Sequence, residues 1–275
     1  MSEELRLRII SGIVMAAVVL VATWFGGFSF RLLSAAITLL VYYEWSTISR
    51  LERNERLLGW FMVGVLGLMI LAGWTGVAVV LLGFFLLVAF LVAIASTEAK
   101  VWLPAGLFYA GLSGIALAAV RGDDPTGFAA MLFVFALVWA TDILAYFVGR
   151  AIGGPKLAPK ISPGKTWSGA IGGTISAVIA GSAVALSMTD ASPIWIVPAA
   201  FVLSVASQAG DLFESFIKRR FGVKDSSHLI PGHGGVMDRV DGLVVACFAA
   251  FLLMAIRALS AGGSFALDGG ALLGL

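Results

Sequence analysis

Stretches of about twenty apolar residues recur along the whole of this 275-residue chain. They cover residues 9–25, 28–46, 57–74, 76–96, 101–120, 127–149, 167–188, 193–214 and 242–260. An α-helix needs roughly 20 apolar residues to cross a hydrocarbon layer of about 30 Å, and lipid requires that a spanning segment satisfy its own backbone. The sequence therefore predicts an all-α, polytopic integral membrane protein with about nine transmembrane helices. The segments that connect neighbouring apolar stretches near Gly73 and Lys100 are short, so eight or ten spans stay open as alternatives.

The composition points the same way. Hydrophobic residues make up 60% of the chain and charged residues 12%, against about 25% charged residues in soluble domains. The opening MSEELRLR and the apolar run after it lack a clear cleavage motif, so we interpret them as a retained first helix rather than a signal peptide. Cys247 is the single cysteine, which excludes an intrachain disulfide.

The distribution of basic residues predicts an orientation. With the N-terminus in the cytoplasm and nine spans, all but three of the 18 Lys and Arg residues fall on the cytoplasmic side. The exceptions are Arg31, Arg121 and Arg257. Because cytoplasmic loops retain Lys and Arg, this partition favours a cytoplasmic N-terminus.

The chemical character of the chain changes at about residue 140. Residues 1–140 form plain apolar spans, which we expect to be a lipid-facing scaffold, with Glu44 almost alone as an ionisable group within a helix. Residues 141–275 repeatedly place acids in or beside apolar runs and carry two basic, glycine-containing cytoplasmic loops, 150–166 and 215–241. Ionisable groups at membrane depth usually mark a functional site, so we expect the catalytic region in this half.

One helix face beyond the eighth apolar run is predicted to be polar. Asp211, Glu214, Ser215 and Lys218 are spaced so that they share one side of a helix. Two acids, a hydroxyl and an ammonium there suggest a functional cavity. The alternative is a helix end meeting water, with local pairs such as Glu214 with Lys218.

Asp238 and Asp241 form a second acidic pair, three residues apart, just ahead of the last apolar run. Carboxylates on one face suit a hard divalent ion such as Mg²⁺, which also takes oxygen ligands from substrate phosphates. The alternative is simple stabilisation at a helix N-terminus, where the dipole favours acids.

The loop before this pair offers groups that bind anions. Its bases are Lys218, Arg219, Arg220 and Lys224, and Gly232, Gly234 and Gly235 allow backbone N–H groups to approach a phosphate. Acids for a metal beside bases for phosphate are typical of phosphoryl-transfer sites. The bases alone are equally explained by the rule that cytoplasmic loops are positive.

Residues 162–166 and the two histidines bear on the kind of site. Residues 164–166 read GKT, but Pro159 replaces the first glycine of a P-loop and no strand precedes it, so a nucleotide-binding P-loop is excluded. Ser162, Lys165 and Thr166 still present a surface suited to phosphate or to lipid headgroups. His228 and His233 are too few for a zinc site, and His233 is either a phosphate contact, an acid–base group or a structural loop residue.

Residues 215–241, SFIKRRFGVKDSSHLIPGHGGVMDRVD, resemble the signature of the phosphatidate cytidylyltransferase (CDP-diacylglycerol synthase) family. TDILAYFVGR (141–150), SPGKTWSG (162–169) and SQAGDLFES (207–215) resemble its other segments, so the similarity is strong over about residues 140–242. The chain departs from the expected pattern at Ser168, where Glu is usual, and at Gly242, where Ser is common.

The resemblance implies transfer of CMP from CTP to phosphatidic acid, which releases pyrophosphate, in an inner membrane of a bacterium with the active site facing the cytoplasm. It implies Mg²⁺ held by Asp211, Asp238, Asp241 and Asp142, while the number of ions and a part for a monovalent cation stay open. Catalytic positions would be Asp211, Asp238, Lys218, Arg239 and Asp241. Substrate-binding positions would be Ser215, Arg219, Lys224, Asp225, His233, Gly234, Gly235, Ser162, Lys165 and Thr166. The expected partners are CTP, phosphatidic acid and the bilayer, without nucleic acid, and a homodimer stays open.

Two other functions remain as alternatives at this level. A transporter would also bury acids, although it would spread them through several helices. A CTP-dependent kinase of an isoprenoid alcohol would also present a membrane site to CTP, but it would release CDP. A CDP-alcohol phosphotransferase is disfavoured because its motif is absent.

Overall fold

The computed structural model describes residues 3–95, 101–260 and 269–275. Lys100, counted above among the cytoplasmic bases, and residue 96 of the fourth apolar stretch lie outside these ranges. The helices are α1 Glu3–Phe25, α2 Gly27–Ile48, α3 Arg53–Leu71, α4 Thr75–Ala95, α5 Trp102–Arg121, α6 Pro125–Ile152, α7 Trp167–Met188, α8 Pro193–Arg220, α9 Met237–Ser260 and α10 Gly269–Leu273. The strands β1 Lys156–Ala158 and β2 Ser162–Thr166 pair antiparallel between α6 and α7.

The prediction of an all-α polytopic membrane protein is confirmed. Within the described residues, eight helices are long and apolar enough to cross a bilayer, namely α1 and α3 to α9. The remaining predicted span, 28–46, does form helix α2, but its buried face carries Ser34, Thr38 and Glu44, which lowers its apolar character. The count of nine and the cytoplasmic N-terminus therefore stay predictions.

Several helices extend beyond their apolar runs into the polar segments of interest. α8 continues to Arg220 and α9 begins at Met237, whereas the apolar pattern places these limits at 214 and 242. The segment 150–166 contains the β1–β2 hairpin, which was not predicted. An apolar pattern identifies only the part of a helix that faces lipid or the core. It therefore does not detect the polar turns at the ends of a helix.

The first of two compact units comprises residues 1–118 and 220–239. Its core is aromatic, because the buried Trp45 ring of α2 lies 5.6 Å from the Tyr109 ring and 6.5 Å from the Trp102 ring, centroid to centroid. Trp45 Nε1 also donates a hydrogen bond of 2.9 Å to the Trp102 carbonyl. This packing fixes α2 against α5, and α2 carries the buried Glu44.

The second unit comprises residues 119–219 and 240–275. Its helices approach closely through small residues, as is common in membrane bundles. A side chain at Gly173 of α7 would meet the Thr141 carbonyl of α6, and one at Gly210 of α8 would meet the Asp241 carbonyl of α9. Thr141 and Ser204 join α6 to α8 by a hydroxyl hydrogen bond of 2.9 Å. The division at residue 140 followed charge rather than packing, and it stays a prediction about where function lies.

Candidate functional site

A polar cavity of about 590 Å³ lies within the second unit, and we call it the acidic cavity. Its walls come from the C-terminal half of α6, the β1–β2 hairpin, the start of α7 and the middle of α8. The polar side chains that line it are Thr141, Asp142, Tyr146, Arg150, Lys156, Ser162, Lys165, Thr166, Gln208 and Asp211. Asp142, Ser162, Lys165, Thr166 and Asp211 were all predicted from the sequence, and the fold brings them together.

Three carboxylates from three different helices interact in this region. Asp241 of α9 is half-buried and lies within electrostatic range of Asp211 of α8 and Asp142 of α6. Its Oδ1 accepts a hydrogen bond of 2.8 Å from the Gly242 N–H. Gly210 and Gly242 permit the close approach, because a Cβ at Gly242 would lie 2.7 Å from Ser207 Oγ of α8. Glycine at 242, a departure from the expected Ser, thus suits this contact.

Basic side chains lie beside these carboxylates. Lys165 of the hairpin forms an ion pair with Asp211 Oδ2 and also interacts with Asp241. Arg150 and Lys156 line the same cavity, so acidic and basic side chains are both present there. Among the residues that the structure describes, no three His, Cys, Asp or Glu side chains are close enough to ligate one ion by themselves. The oxygen donors fit Mg²⁺ held by one or two carboxylates and completed by water and phosphate.

Other predicted residues of the second unit have structural contacts. Thr166 is the N-cap of α7 and accepts a hydrogen bond from the Gly169 N–H. Ser215 Oγ donates to Asp211 Oδ1 over 3.4 Å, and Arg219 Nε donates to the Ile161 carbonyl of the hairpin. Lys218 pairs with the buried Glu214 over 2.6 Å, as the local alternative predicted. Their substrate-binding or catalytic roles stay predictions.

Some cavity residues were not singled out from the sequence. Tyr146 and Arg150 are joined by a hydrogen bond of 2.9 Å from the guanidinium to the phenol oxygen. Gln208 Nε2 donates to Thr174 Oγ1 over 2.8 Å, which connects α8 to α7. A glutamine in an apolar span is itself a signal, because an amide in lipid is costly.

An apolar groove of about 920 Å³ runs between α7 and α8 in the same unit, and we call it the α7–α8 groove. It is lined mainly by aliphatic and aromatic side chains, including Ile175, Val178 and Phe201. Leu157, Ala170 and Gln208 line both this groove and the acidic cavity. The acidic cavity and the apolar groove therefore adjoin each other at these three residues.

A second cavity of about 600 Å³ lies within the first unit, and we call it the basic pocket. It is lined by Arg8, Lys224, Asp225, His228, Ile230, Pro231, Gly232, His233, Gly234 and Arg239. Lys224, Asp225, His233, Gly234 and Arg239 were predicted as site residues, whereas Arg8 of α1 was not. The short-range pattern of the loop gave no reason to connect it with the first helix.

His233 is held by the first helix. Its Nδ1 lies 2.7 Å from Ser11 Oγ, and Ser11 Oγ also donates to the Pro231 carbonyl over 3.1 Å. Burial and the positive charges of Arg239 and Arg8 lower the pKa of His233. The imidazole is therefore neutral at pH 7, a state that suits hydrogen bonding more than charge neutralisation.

Two buried carboxylates hold the loop that forms the basic pocket. Asp238 Oδ2 accepts hydrogen bonds from the Ser226 and Gly235 N–H groups, each 2.8 Å long. Glu44 is fully buried and accepts hydrogen bonds from the Val236 and Met237 N–H groups over 2.8 and 2.6 Å. Asp238 was predicted as a metal ligand, and this role stays a prediction. Glu44 was noted in the sequence, but no role was assigned to it.

Comparisons with known proteins agree with this chemistry. Residues 6–257 match the model of the cytidylyltransferase family. A protein of Brucella abortus biovar 1 (strain 9-941) named phosphatidate cytidylyltransferase is 49% identical over 93% of this chain and 95% of its own length. Proteins of the same name from Haemophilus influenzae and Bacillus subtilis are 38% and 30% identical, over 88% and 91% of this chain and 96% and 98% of their own lengths.

Proposed function

Because the chain belongs to the cytidylyltransferase family, we propose that it is a phosphatidate cytidylyltransferase, a membrane nucleotidyltransferase that converts CTP and phosphatidic acid to CDP-diacylglycerol and pyrophosphate. The similarity to three proteins of that name over most of their lengths carries this proposal. In the reaction, a phosphatidate oxygen forms a bond to the α-phosphorus of CTP, and the bond from that phosphorus to the pyrophosphate oxygen breaks. A phosphate monoester is already nucleophilic, so the site needs no strong general base.

The acidic cavity is suited to the reacting phosphates. Negative charge accumulates on the phosphates of both substrates, and catalysis of such a transfer depends mainly on positioning and charge stabilisation. Lys165 supplies a positive charge beside Asp211, and Arg150 and Lys156 line the same cavity. These bases would bind and orient phosphate oxygens, while Ser162 would donate a hydrogen bond.

Asp211, Asp241 and Asp142 would hold Mg²⁺ in this cavity. When bound, the ion supplies Lewis-acid stabilisation of phosphoryl oxygens. The mutual approach of these three carboxylates, which come from α8, α9 and α6, supports the assignment. Asp238 as a further metal ligand is part of the same proposal. The proposal covers one or more Mg²⁺ ions, with or without a monovalent cation.

The basic pocket would contribute phosphate binding of its own. Arg8, Lys224 and Arg239 bring positive charge to a cavity whose glycines expose backbone N–H groups. A neutral His233 would act there as a hydrogen-bonding group rather than as a catalytic base. CTP, which carries three phosphates, is the natural ligand for such a pocket.

The lipid substrate would use the α7–α8 groove. Phosphatidic acid has an anionic head and apolar chains, so its site must join a polar cavity to an apolar surface. The groove and the acidic cavity share Leu157, Ala170 and Gln208, which meets that requirement. We place the enzyme in a bacterial inner membrane with this cavity on the cytoplasmic side, where CTP is available, and a homodimer stays part of the proposal.

The test is an assay of purified protein with cytidine-labelled CTP, Mg²⁺ and phosphatidic acid. We expect label in a lipid and release of pyrophosphate. Release of CDP without labelled lipid would indicate a lipid kinase, and uptake into liposomes without CTP consumption would indicate a transporter. Either result contradicts the proposal.

The metal assignment is tested in the same assay by Asp211→Asn. We expect activity to fall about a hundredfold or more, since several kcal/mol of charge stabilisation would be lost. Asp190→Asn is the matched control, because Asp190 is exposed and does not line the cavity. Near-normal activity of Asp211→Asn in protein that inserts normally would contradict the assignment.

A further inference from the structure

Glu44 gathers four hydrogen bonds from residues that follow it by 182 to 193 positions in the chain. Its Oε1 accepts from Ser227 Oγ over 2.6 Å and from the Val236 N–H over 2.8 Å. Its Oε2 accepts from Ser226 Oγ over 2.9 Å and from the Met237 N–H over 2.6 Å. Each carboxylate oxygen therefore holds one hydroxyl and one backbone amide.

These contacts close the base of a loop. Residues 226 and 227 begin the loop, residues 236 and 237 end it at the start of α9, and Glu44 binds both ends. The residues between them include His228, His233 and Gly234, which line the basic pocket. Inside the loop, the Ile230 N–H donates to the Gly234 carbonyl over 2.8 Å. The Glu44 carboxylate thus sets the distance between the two ends of the loop, and the conformation of the pocket wall depends on that distance.

The packing at Gly235 shows how tightly the base is closed. A Cβ at this position would overlap Ser226 Oγ and would also meet the Glu44 carboxylate. Gly235 itself donates its N–H to Asp238 Oδ2 over 2.8 Å. A larger residue at 235 would force Glu44 and the loop apart.

A buried carboxylate is a poor means of gaining stability. Removing a charge from water is costly, and a well-packed apolar residue of similar volume is often at least as stabilising. What the carboxylate provides is position, because its two oxygens hold donors from both ends of the loop. The geometry therefore indicates a role in the shape of the loop and not only in its folding.

We propose that Glu44 of α2 is a positioning residue that holds the basic pocket in the shape that binds the CTP phosphates. Glu44 does not touch substrate, and it acts through the residues of the loop. The inference rests on the proposed function, since it takes CTP as the ligand of the pocket. It adds a residue of the N-terminal half, from helix α2, to the determinants of nucleotide binding.

The decisive variant is Glu44→Gln, which keeps the size of the side chain. The amide NH₂ would face either the Val236 or the Met237 N–H, so one backbone donor would lose its acceptor. We expect the KM for CTP to rise about tenfold or more, as for loss of a charge-assisted hydrogen bond. The KM for phosphatidic acid and the kcat at saturating CTP should change little. Trypsin should also cleave after the exposed Lys224 faster than in the unmodified protein.

Ser227→Ala and Glu55→Gln complete the experiment. Ser227→Ala removes one of the four bonds and should show the same effects in weaker form, which keeps the test valid if Glu44→Gln does not fold. Glu55 is a buried glutamate of α3 whose carboxylate bonds the N-terminus of its own helix. Glu55→Gln should therefore leave the KM for CTP unchanged.

The inference is overturned if active Glu44→Gln and Ser227→Ala proteins keep a normal KM for CTP and normal protease resistance. It is also overturned if Glu55→Gln raises the KM for CTP as much as Glu44→Gln does. If the unmodified protein makes no CDP-diacylglycerol, the proposed function fails instead, and that result is visible before any variant is made.

Discussion

At the scale of single residues, His233 connects a loop of the predicted signature to the first helix of the chain. Its ring faces Ser11, Arg8 and Arg239, and Lys224, Asp225 and His228 line the same pocket. Positive neighbours and burial penalise the imidazolium. Protonation of His233 is therefore less favourable in the folded protein than in the unfolded chain.

This difference predicts a pH dependence of stability. Because the pKa of His233 is lowered, the folded protein binds fewer protons than the unfolded chain between that pKa and about 6.5. Its contribution to the unfolding free energy is complete above about pH 6.5 and is lost as the pH falls. We expect thermal stability in detergent to decrease from about pH 7.5 to about pH 5.5 by less in His233→Gln than in the unmodified protein. Equal decreases would contradict the prediction.

The site residues divide according to how the sequence could identify them. Asp142 and Asp211 could be identified because a carboxylate within an apolar helix contrasts with its neighbours, and the acidic cavity contains both. Glu44 contrasts in the same way, but its partners lie far along the chain, and no local pattern pairs it with them. Asp238 could be identified as an acid at the start of a helix, but the hydrogen bonds that it accepts from the Ser226 and Gly235 N–H groups depend on the fold of the loop.

At the scale of helices and strands, the α7–α8 groove is the feature with the most direct functional consequence. Val178 of α7 lines the groove midway along the helix, whereas the exposed Leu186 on the same helix does not line it. A larger side chain at 178 would occupy space that we assign to an acyl chain. A larger side chain at position 186 would lie outside the groove, on the exposed surface of the helix.

We expect Val178→Trp to raise the KM for long-chain phosphatidic acid about fivefold or more, since overfilling an apolar site costs on the order of 1 kcal/mol or above. The KM for CTP should be unchanged, and a short-chain phosphatidate should show a smaller effect. Leu186→Trp is the control and should behave like the unmodified protein. Equal effects of both substitutions, or an effect on CTP alone, would contradict the assignment of the groove.

The elements themselves were predicted unevenly, and the reason is physical. Apolar runs identified α1 to α9, because a helix in lipid must be apolar over most of its length. The ends of α8 and α9 and the β1–β2 hairpin lie in polar sequence, where hydrogen bonds and caps decide the structure. Thr166, predicted as a phosphate contact, ends the hairpin and is the N-cap of α7. This capping role depends on the conformation of its neighbours.

The orientation of the chain in the membrane decides on which side of the bilayer the acidic cavity opens. Lys160 and Asp190 are exposed and lie beyond opposite ends of α7, one of the helices able to cross the bilayer. If the N-terminus is cytoplasmic and all nine predicted spans cross the bilayer, the hairpin with Lys160 is cytoplasmic and Asp190 is on the outer side. Cys247 is buried and can be replaced to give a chain without cysteine.

In a Cys247→Ala background, we expect Asp190→Cys to react with a membrane-impermeant maleimide in intact spheroplasts. Lys160→Cys should react only after the membrane is permeabilised. The reverse pattern would invert the orientation and place the acidic cavity on the side without CTP. Labelling of both positions in intact spheroplasts would contradict a membrane-spanning α7.

The bonds of Glu44 also have a consequence for the order of biosynthesis. α2 leaves the ribosome 182 residues before Ser226, its first partner in the loop, a delay on the order of ten to forty seconds at bacterial rates of translation. During this interval the nascent helix carries a carboxylate without the donors that later surround it. If α2 crosses the membrane, as its apolar run predicts, its insertion must tolerate this acid until α9 begins, and a chain released before that point would leave the acid without its four donors.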